Sequence, residues 1–228
     1  MGTEALIAGL ASMAAVTVFG AYAAVGTAFN LPRDFKTQIM KSPSAALIGV
    51  SGPLNVGRLA YDLGAADTGI GAGAVVGLQF LSFGGGYEAL LPTSRDRIWL
   101  YSYCGAFYSV PFGKYNANGL SADITGITLW PGVNASFLDA SFYIGAVWNV
   151  KYPEDYAGPF YCTSGSLLLG AMGIHISPNA TLCSAANRVF SITSDLTGTA
   201  GGGAKSSLGS SITLYQYWGE LPRRKEGQ

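Results

Sequence analysis

The hydrophobic pattern divides the chain into one long apolar segment followed by a body of short alternating segments. From residue 5 to residue 29 the chain has 25 consecutive positions without a charged residue. A helix of that length is about 38 Å long and is long enough to cross a hydrocarbon core of about 30 Å. The pattern therefore predicts an apolar, transmembrane-length α-helix within residues 1–30. A cleaved secretory signal is disfavoured, because Glu4 stands where such a signal has basic residues.

Small residues recur at a spacing of four along this predicted helix. The pairs are Ala8 and Ser12, Ala11 and Ala15, and Gly20 and Ala24. Such pairs let helix backbones approach closely, as they do where membrane helices pack together. Two interpretations remain open: the helix contacts a lipid bilayer, or it is buried against neighbouring protein subunits.

Residues 31–45 are a predicted linker, marked by Pro32 and Pro43. The linker carries three basic residues, Arg33, Lys36 and Lys41, which are candidate contacts for anionic lipid headgroups. By the positive-inside rule, these residues would place the following domain on the cytoplasmic side of an inserted helix.

Beyond residue 45 the hydrophobic period becomes that of β-strands. Aromatic and β-branched segments between Gly- and Pro-containing turns predict strands at 46–50, 74–83, 97–103, 105–112, 124–130, 137–150, 160–162, 167–176, 188–193 and 211–218. We allow for a break of the segment 137–150 near Gly145. Eight to ten short strands are typical of a sandwich or barrel. We expect a mainly β fold, with a single antiparallel, jelly-roll-like β-sandwich over 46–220 and a basic tail at 221–228.

The charge content is low and balanced, with 13 basic and 13 acidic residues and only 11% of positions charged. An average near 25% is usual for soluble domains. The balance argues against specific nucleic-acid binding, which requires a basic excess, and the apolar content argues against disorder. A protein of zero net charge tends to self-associate. We expect its partners to be copies of itself, other shell proteins and a lipid bilayer.

Three cysteines allow at most one intramolecular disulfide. Cys162 and Cys183 are the candidate pair, and buried free thiols are the alternative. Asn134 and Asn179 each begin an N-x-[ST] sequence and are candidate glycosylation sites.

No combination of residues predicts a catalytic site, a metal site or a cofactor site. The chain has a single histidine, His175, with no recognisable nucleophile or orienting partner. The adjacent carboxylates Glu154 and Asp155 are expected in a solvated loop. Glycine-rich stretches at 69–74 and 199–207 imitate nucleotide-binding motifs but depart from them. We therefore expect a protein that is not an enzyme and has no small-molecule substrate.

The combination of one apolar N-terminal helix, a β-rich body and few charges resembles, in outline, the single jelly-roll coat and vertex proteins of membrane-containing icosahedral viruses. The resemblance implies a structural capsid protein of a virion, anchored through its N-terminal helix to membrane or neighbouring subunits. Two alternatives remain. One is a pilin-like filament subunit at the cell surface. The other is an accessory subunit of a membrane complex or a membrane-anchored enzyme, and the absence of a catalytic combination of residues disfavours the enzyme.

Overall fold

A computed structural model describes residues 18–27, 29–33, 66–77, 81–112, 114–116, 119–121, 137–166, 169–171, 174–200 and 206–223. Within these residues the chain is mainly β, with one short helix ahead of the strands, as the hydrophobic pattern predicts. The helix, α1, covers residues 18–27. The earlier part of the predicted helix and the predicted strands at 46–50 and 124–130 lie outside the described residues.

The strands are named in chain order. They are β1 (Asp67–Gly77), β2 (Leu81–Leu91), β3 (Arg97–Phe112), β4 (Lys114–Asn116), β5 (Gly119–Ser121), β6 (Phe137–Trp148), β7 (Gly158–Ser166), β8 (Leu169–Ala171), β9 (Ile174–Ala185), β10 (Phe190–Ala200) and β11 (Ser206–Pro222). A 3-10 turn, Pro153–Tyr156, lies between β6 and β7. Leu221 and Pro222, which were predicted to begin the tail, belong to β11.

Eight antiparallel strands close into a barrel in the order β10, β6, β1, β2, β3, β11, β7, β9. Pairing of β9 with β10 over ten positions closes the barrel. The short β8 pairs with the first residues of β9, and β4 and β5 form a separate hairpin. This differs from the expected two-sheet sandwich. The eight strands form one continuous sheet, because the pairing of β9 with β10 leaves no free edge between them.

Most strands are longer than the predicted segments, although β6 ends two residues before the end of the segment 137–150. The segments 97–103 and 105–112 form one strand, β3, and β6 runs through Gly145 without a break. The segment 74–83 instead divides between β1 and β2. Glycine, serine and threonine extend the strands past the aromatic residues that marked them in the sequence, because barrel pairing on both sides satisfies their backbone groups.

Helix α1 packs on the outside of the barrel. The hydroxyl of Ser210 in β11 donates to the carbonyl of Gly20 at 2.8 Å, and the hydroxyl of Ser184 in β9 donates to the carbonyl of Thr27 at 2.8 Å. Beyond the end of α1, Leu31 joins an outer apolar cluster with Ala146, Trp148, Phe190 and Ile192. Among the described residues, no helix is both long enough and apolar enough to cross a membrane.

Candidate functional site

The outward surface of the barrel is uncharged wherever its side chains are described. Side chains alternate between the two sides of each strand, so that Ile70 faces out where Gly71 faces in. We call the described outward side chains of the eight strands the outer wall. Its large, exposed apolar members are Ile70, Val76, Phe83, Tyr87, Phe142, Ile144, Leu214 and Trp218. Phe142, at the middle of β6, leaves 74% of its surface uncovered.

Charged side chains gather at one end of the barrel, which we call the charged rim. It is formed by the starts and ends of strands and the turns between them, and carries Asp67, Arg95, Asp96, Arg97, Lys151, Glu154, Asp155, Arg188, Glu220 and Arg223. Of the charged side chains that the structure describes, only Arg33, after α1, and Glu88, inside the barrel, lie elsewhere. Charge is thus excluded from the outer wall and concentrated at its border.

Local contacts order the charged rim. Arg97 and Glu220 form an ion pair between β3 and β11. Arg95 donates to the carbonyl of Lys151 at 3.0 Å, and its guanidinium lies 5.6 Å from the centre of the Trp99 ring. These pairings connect the β2–β3 turn with the chain that follows β6.

Asp155 holds the 3-10 turn at the same rim. Its carboxylate accepts hydrogen bonds from the backbone N–H groups of Lys151 and Tyr152, at 2.9 and 2.8 Å. The two carboxylates that were expected in a loop therefore have different roles. Asp155 caps the turn, whereas Glu154 is exposed on it.

Glu88 is the polar centre of the barrel interior. Its side chain is buried, with 2% of the residue's surface exposed. The hydroxyl of Tyr143 donates to its Oε2 at 2.6 Å, and the hydroxyl of Tyr156 donates to its Oε1 at 3.0 Å. Burial, reinforced by the neighbouring Glu88, raises the pKa of Tyr156 well above its usual value, so this tyrosine remains a hydrogen-bond donor.

Three inward glycines of β1 make room for this cluster. A Cβ at Gly69 would lie 2.5 Å from Oε1 of Glu88, one at Gly71 would overlap the Tyr143 ring, and one at Gly73 would overlap the Tyr103 hydroxyl. The glycine stretch that imitates a dinucleotide motif in the sequence is therefore a packing surface inside a barrel strand. Sequence reasoning missed Glu88, although it is the only charged residue between 68 and 94.

The cysteines lie on opposite sides of the barrel wall. Cys162 of β7 and Cys183 of β9 are directly paired across the strands and form a disulfide inside the barrel. Cys104 of β3 is a free, exposed thiol on the outer wall. The disulfide joins β7 to β9, and β9 is the strand that pairs with β10 to close the barrel.

The other residues singled out in the sequence are dispersed. Gly20 and Ala24 lie on α1, where Gly20 contacts Tyr108 of β3, and Arg33 is exposed beyond the helix. Asn179 and His175 lie in β9, where their backbones pair with Asp195 and Thr199 of β10. The residues outside the described ranges are Ala8, Ala11, Ser12, Ala15, Lys36, Lys41 and Asn134.

Among the described residues, no group of three or more His, Cys, Asp or Glu side chains is placed to hold a metal ion. No protein family, curated protein or solved structure matches this chain.

Proposed function

We propose that this protein is a non-catalytic structural subunit that works with its outer wall covered inside a larger assembly. The observation that carries the proposal is the uncharged outer wall, bordered by a charged rim. Large exposed apolar surfaces on a folded protein mark sites of interaction with other proteins or membranes. In water, such a wall would favour aggregation, and a net charge of zero would not oppose it.

The assembly that we propose is the shell of a membrane-containing icosahedral virus, with the protein as a coat or vertex subunit of the virion. The uncharged wall supports a subunit surrounded on several sides, as shell proteins are. Helix α1 supports it as well, because its described residues carry no charge and it packs along the barrel. A filament subunit would need the same covered wall, and helical rather than closed symmetry of the assembly in electron micrographs would favour it.

The test places a charge on the outer wall and follows assembly. Phe142→Lys and Ile144→Lys introduce an ammonium group at exposed positions of β6. The matched control is Tyr152→Lys, an aromatic residue on the charged rim whose exposure, 59%, lies between those of Phe142 and Ile144. The measurement is the share of full-length chain that sediments with the large assembly.

We expect each wall variant to lose incorporation by about tenfold or more, because covering an ammonium group with apolar surface costs well over 1.4 kcal/mol. The rim control should assemble like the unmodified chain. Equal incorporation of Phe142→Lys and Tyr152→Lys would show that the outer wall is not a contact surface, and the proposed function would then be wrong.

A further inference from the structure

The outer wall is uncharged and largely apolar, and this chemistry indicates what kind of partner covers it. We propose that lipid hydrocarbon covers it: the barrel lies in a bilayer, with the charged rim at the headgroups of one face. This inference rests on the proposed function and names the partner of the same surface. Four observations support it, namely the polarity of the two faces, the strand lengths, the apolar surface on several sides of the barrel and the aromatic residues near the rim.

The outward face of the barrel is more apolar than that of a water-soluble barrel. The inward positions hold the carboxylate of Glu88 and buried hydroxyl groups beside an apolar cluster that includes Trp99 and Phe160. The outward positions hold Ile70, Phe83 and other exposed apolar side chains. Soluble proteins place apolar residues inside and charges outside. Strands that alternate apolar-out and polar-in are the signature of barrels that face lipid.

Strand lengths match the thickness of a bilayer. The shortest of the eight barrel strands, β7, has 9 residues, and the longest, β11, has 17. A strand needs about 9–11 residues to cross the hydrocarbon when it is tilted by about 45°. The mean strand of globular proteins has only about 5–6 residues. Every strand of this barrel is therefore long enough to cross.

Among the described residues, apolar surface lies on several sides of the barrel. Exposed apolar side chains lie on β6, β1, β2 and β11. The helix covers parts of β3, β7 and β9, and Leu31 covers part of β10. The helix and the residues just after it also expose apolar side chains on their outer face, at Val18, Tyr22, Val25 and Phe29. A single protein partner covers one patch of about 800 Å² in a standard interface, so protein would have to cover the wall through several separate interfaces. Hydrocarbon covers all sides at once and requires no charged or polar complement.

Aromatic residues lie on the outer wall close to the charged rim. Trp218 precedes the rim residue Glu220 by two positions, and its ring centre lies 5.8 Å from that of Tyr87 on β2. Trp and Tyr are enriched at the level of the headgroups, where the apolar ring contacts hydrocarbon and the polar N–H or O–H group contacts headgroups or water. These two residues therefore mark the level at which the wall would leave the hydrocarbon.

The free thiol provides the experiment. Cys104 is exposed on the outer wall at a central position of β3, and the other two cysteines form the disulfide. The full-length chain is labelled at Cys104 with a polarity-sensitive fluorophore and reconstituted into phosphatidylcholine vesicles, with or without bromine atoms on the acyl chains. The matched control carries the fluorophore at the rim, in the double variant Cys104→Ser and Ser94→Cys.

We expect the Cys104 fluorophore to shift its emission to the blue and to lose most of its fluorescence in brominated vesicles, while the rim fluorophore loses little. An unquenched Cys104 fluorophore, together with assembly that still depends on Phe142 and Ile144, would mean that protein covers the wall; the proposed function would stand and the lipid inference would be overturned. If the Cys104 fluorophore were unquenched and assembly did not depend on Phe142 and Ile144, both the lipid inference and the proposed function would be overturned. Labelling the native cysteine alters no packed residue, so a folding defect of a variant cannot produce the result.

Discussion

At the scale of single residues, one buried carboxyl group connects distant parts of the barrel interior through hydrogen bonds. Glu88 joins three parts of the structure that are far apart in the chain: β2 carries it, and β6 and the 3-10 turn supply the hydroxyl groups of Tyr143 and Tyr156. The Tyr156 ring also packs edge-on against the Tyr101 ring, with 5.2 Å between the ring centres. Glu88 therefore links strands β2 and β6 to the 3-10 turn that follows β6.

Replacement of Glu88 tests this link. Glu88→Ala removes the carboxylate that accepts from Tyr143 and Tyr156, and a buried hydroxyl that loses its acceptor costs about 1–3 kcal/mol. We expect a correspondingly lower free energy of unfolding, measured by denaturant titration in detergent micelles. Tyr156→Phe should cost less, because it removes the donor together with its need for an acceptor.

The matched control for Glu88→Ala is Glu154→Ala on the exposed part of the turn, where surface substitutions usually change stability by less than about 0.5 kcal/mol. If Glu88→Ala unfolded at the same denaturant concentration as Glu154→Ala, the hydrogen bonds to Glu88 would not contribute to stability.

At the scale of elements, α1 is held to the barrel by close contacts at glycine. Gly26 faces Tyr161 of β7, and a Cβ there would lie 2.7 Å from Cγ of that ring. The Tyr22 and Tyr161 hydroxyls lie 3.3 Å apart in the same contact. Gly20 and Gly26 thus allow the helix to lie close to strands, at Tyr108 and Tyr161. The predicted role of the other small residues in helix packing stays a prediction.

A larger residue at position 26 should separate α1 from the barrel. Gly26→Leu raises intrinsic helix propensity by nearly 1 kcal/mol, so any loss of order must come from the contact with Tyr161. We expect faster amide hydrogen exchange over residues 18–27 and unchanged exchange in β1 and β2. The control is Val25→Leu, at a position that is 66% exposed. Equal protection of α1 in the two variants would contradict the packing of Gly26 against β7.

At the scale of the whole molecule, closure of the sheet determines which backbone groups are paired. In a closed barrel, successive amides of a strand point to its two neighbours in turn, so both sets are hydrogen-bonded. A sandwich instead has edge strands in which every second amide faces solvent.

Closure therefore predicts a distinctive pattern of hydrogen exchange. We expect protected amides at successive positions in the middle of all eight barrel strands, including β9 and β10, in the exchange profile of the full-length chain measured residue by residue. Alternating protected and unprotected amides along β9 or β10 would show an open edge there and would contradict the barrel.

The candidate site was predictable only in part. The low charge content predicted an unusually uncharged surface, and the spacing of Cys162 and Cys183 suggested the pair that forms the disulfide. Glu88 was not predicted, because its partners Tyr143 and Tyr156 lie 55 and 68 residues away along the chain. No local pattern records a contact across such distances.

The sequence by itself determined that the body is β and that an apolar helix precedes it, because both depend on the local period of hydrophobic residues. The order of the strands, the closure of β9 on β10 and the choice of inner face were decided only by the tertiary structure. In β1, isoleucine, alanine and valine alternate with glycine, so local alternation defines two faces without showing which one turns inward. Packing decides which face turns inward, because only the glycine face of β1 leaves room for Glu88, Tyr143 and Tyr103.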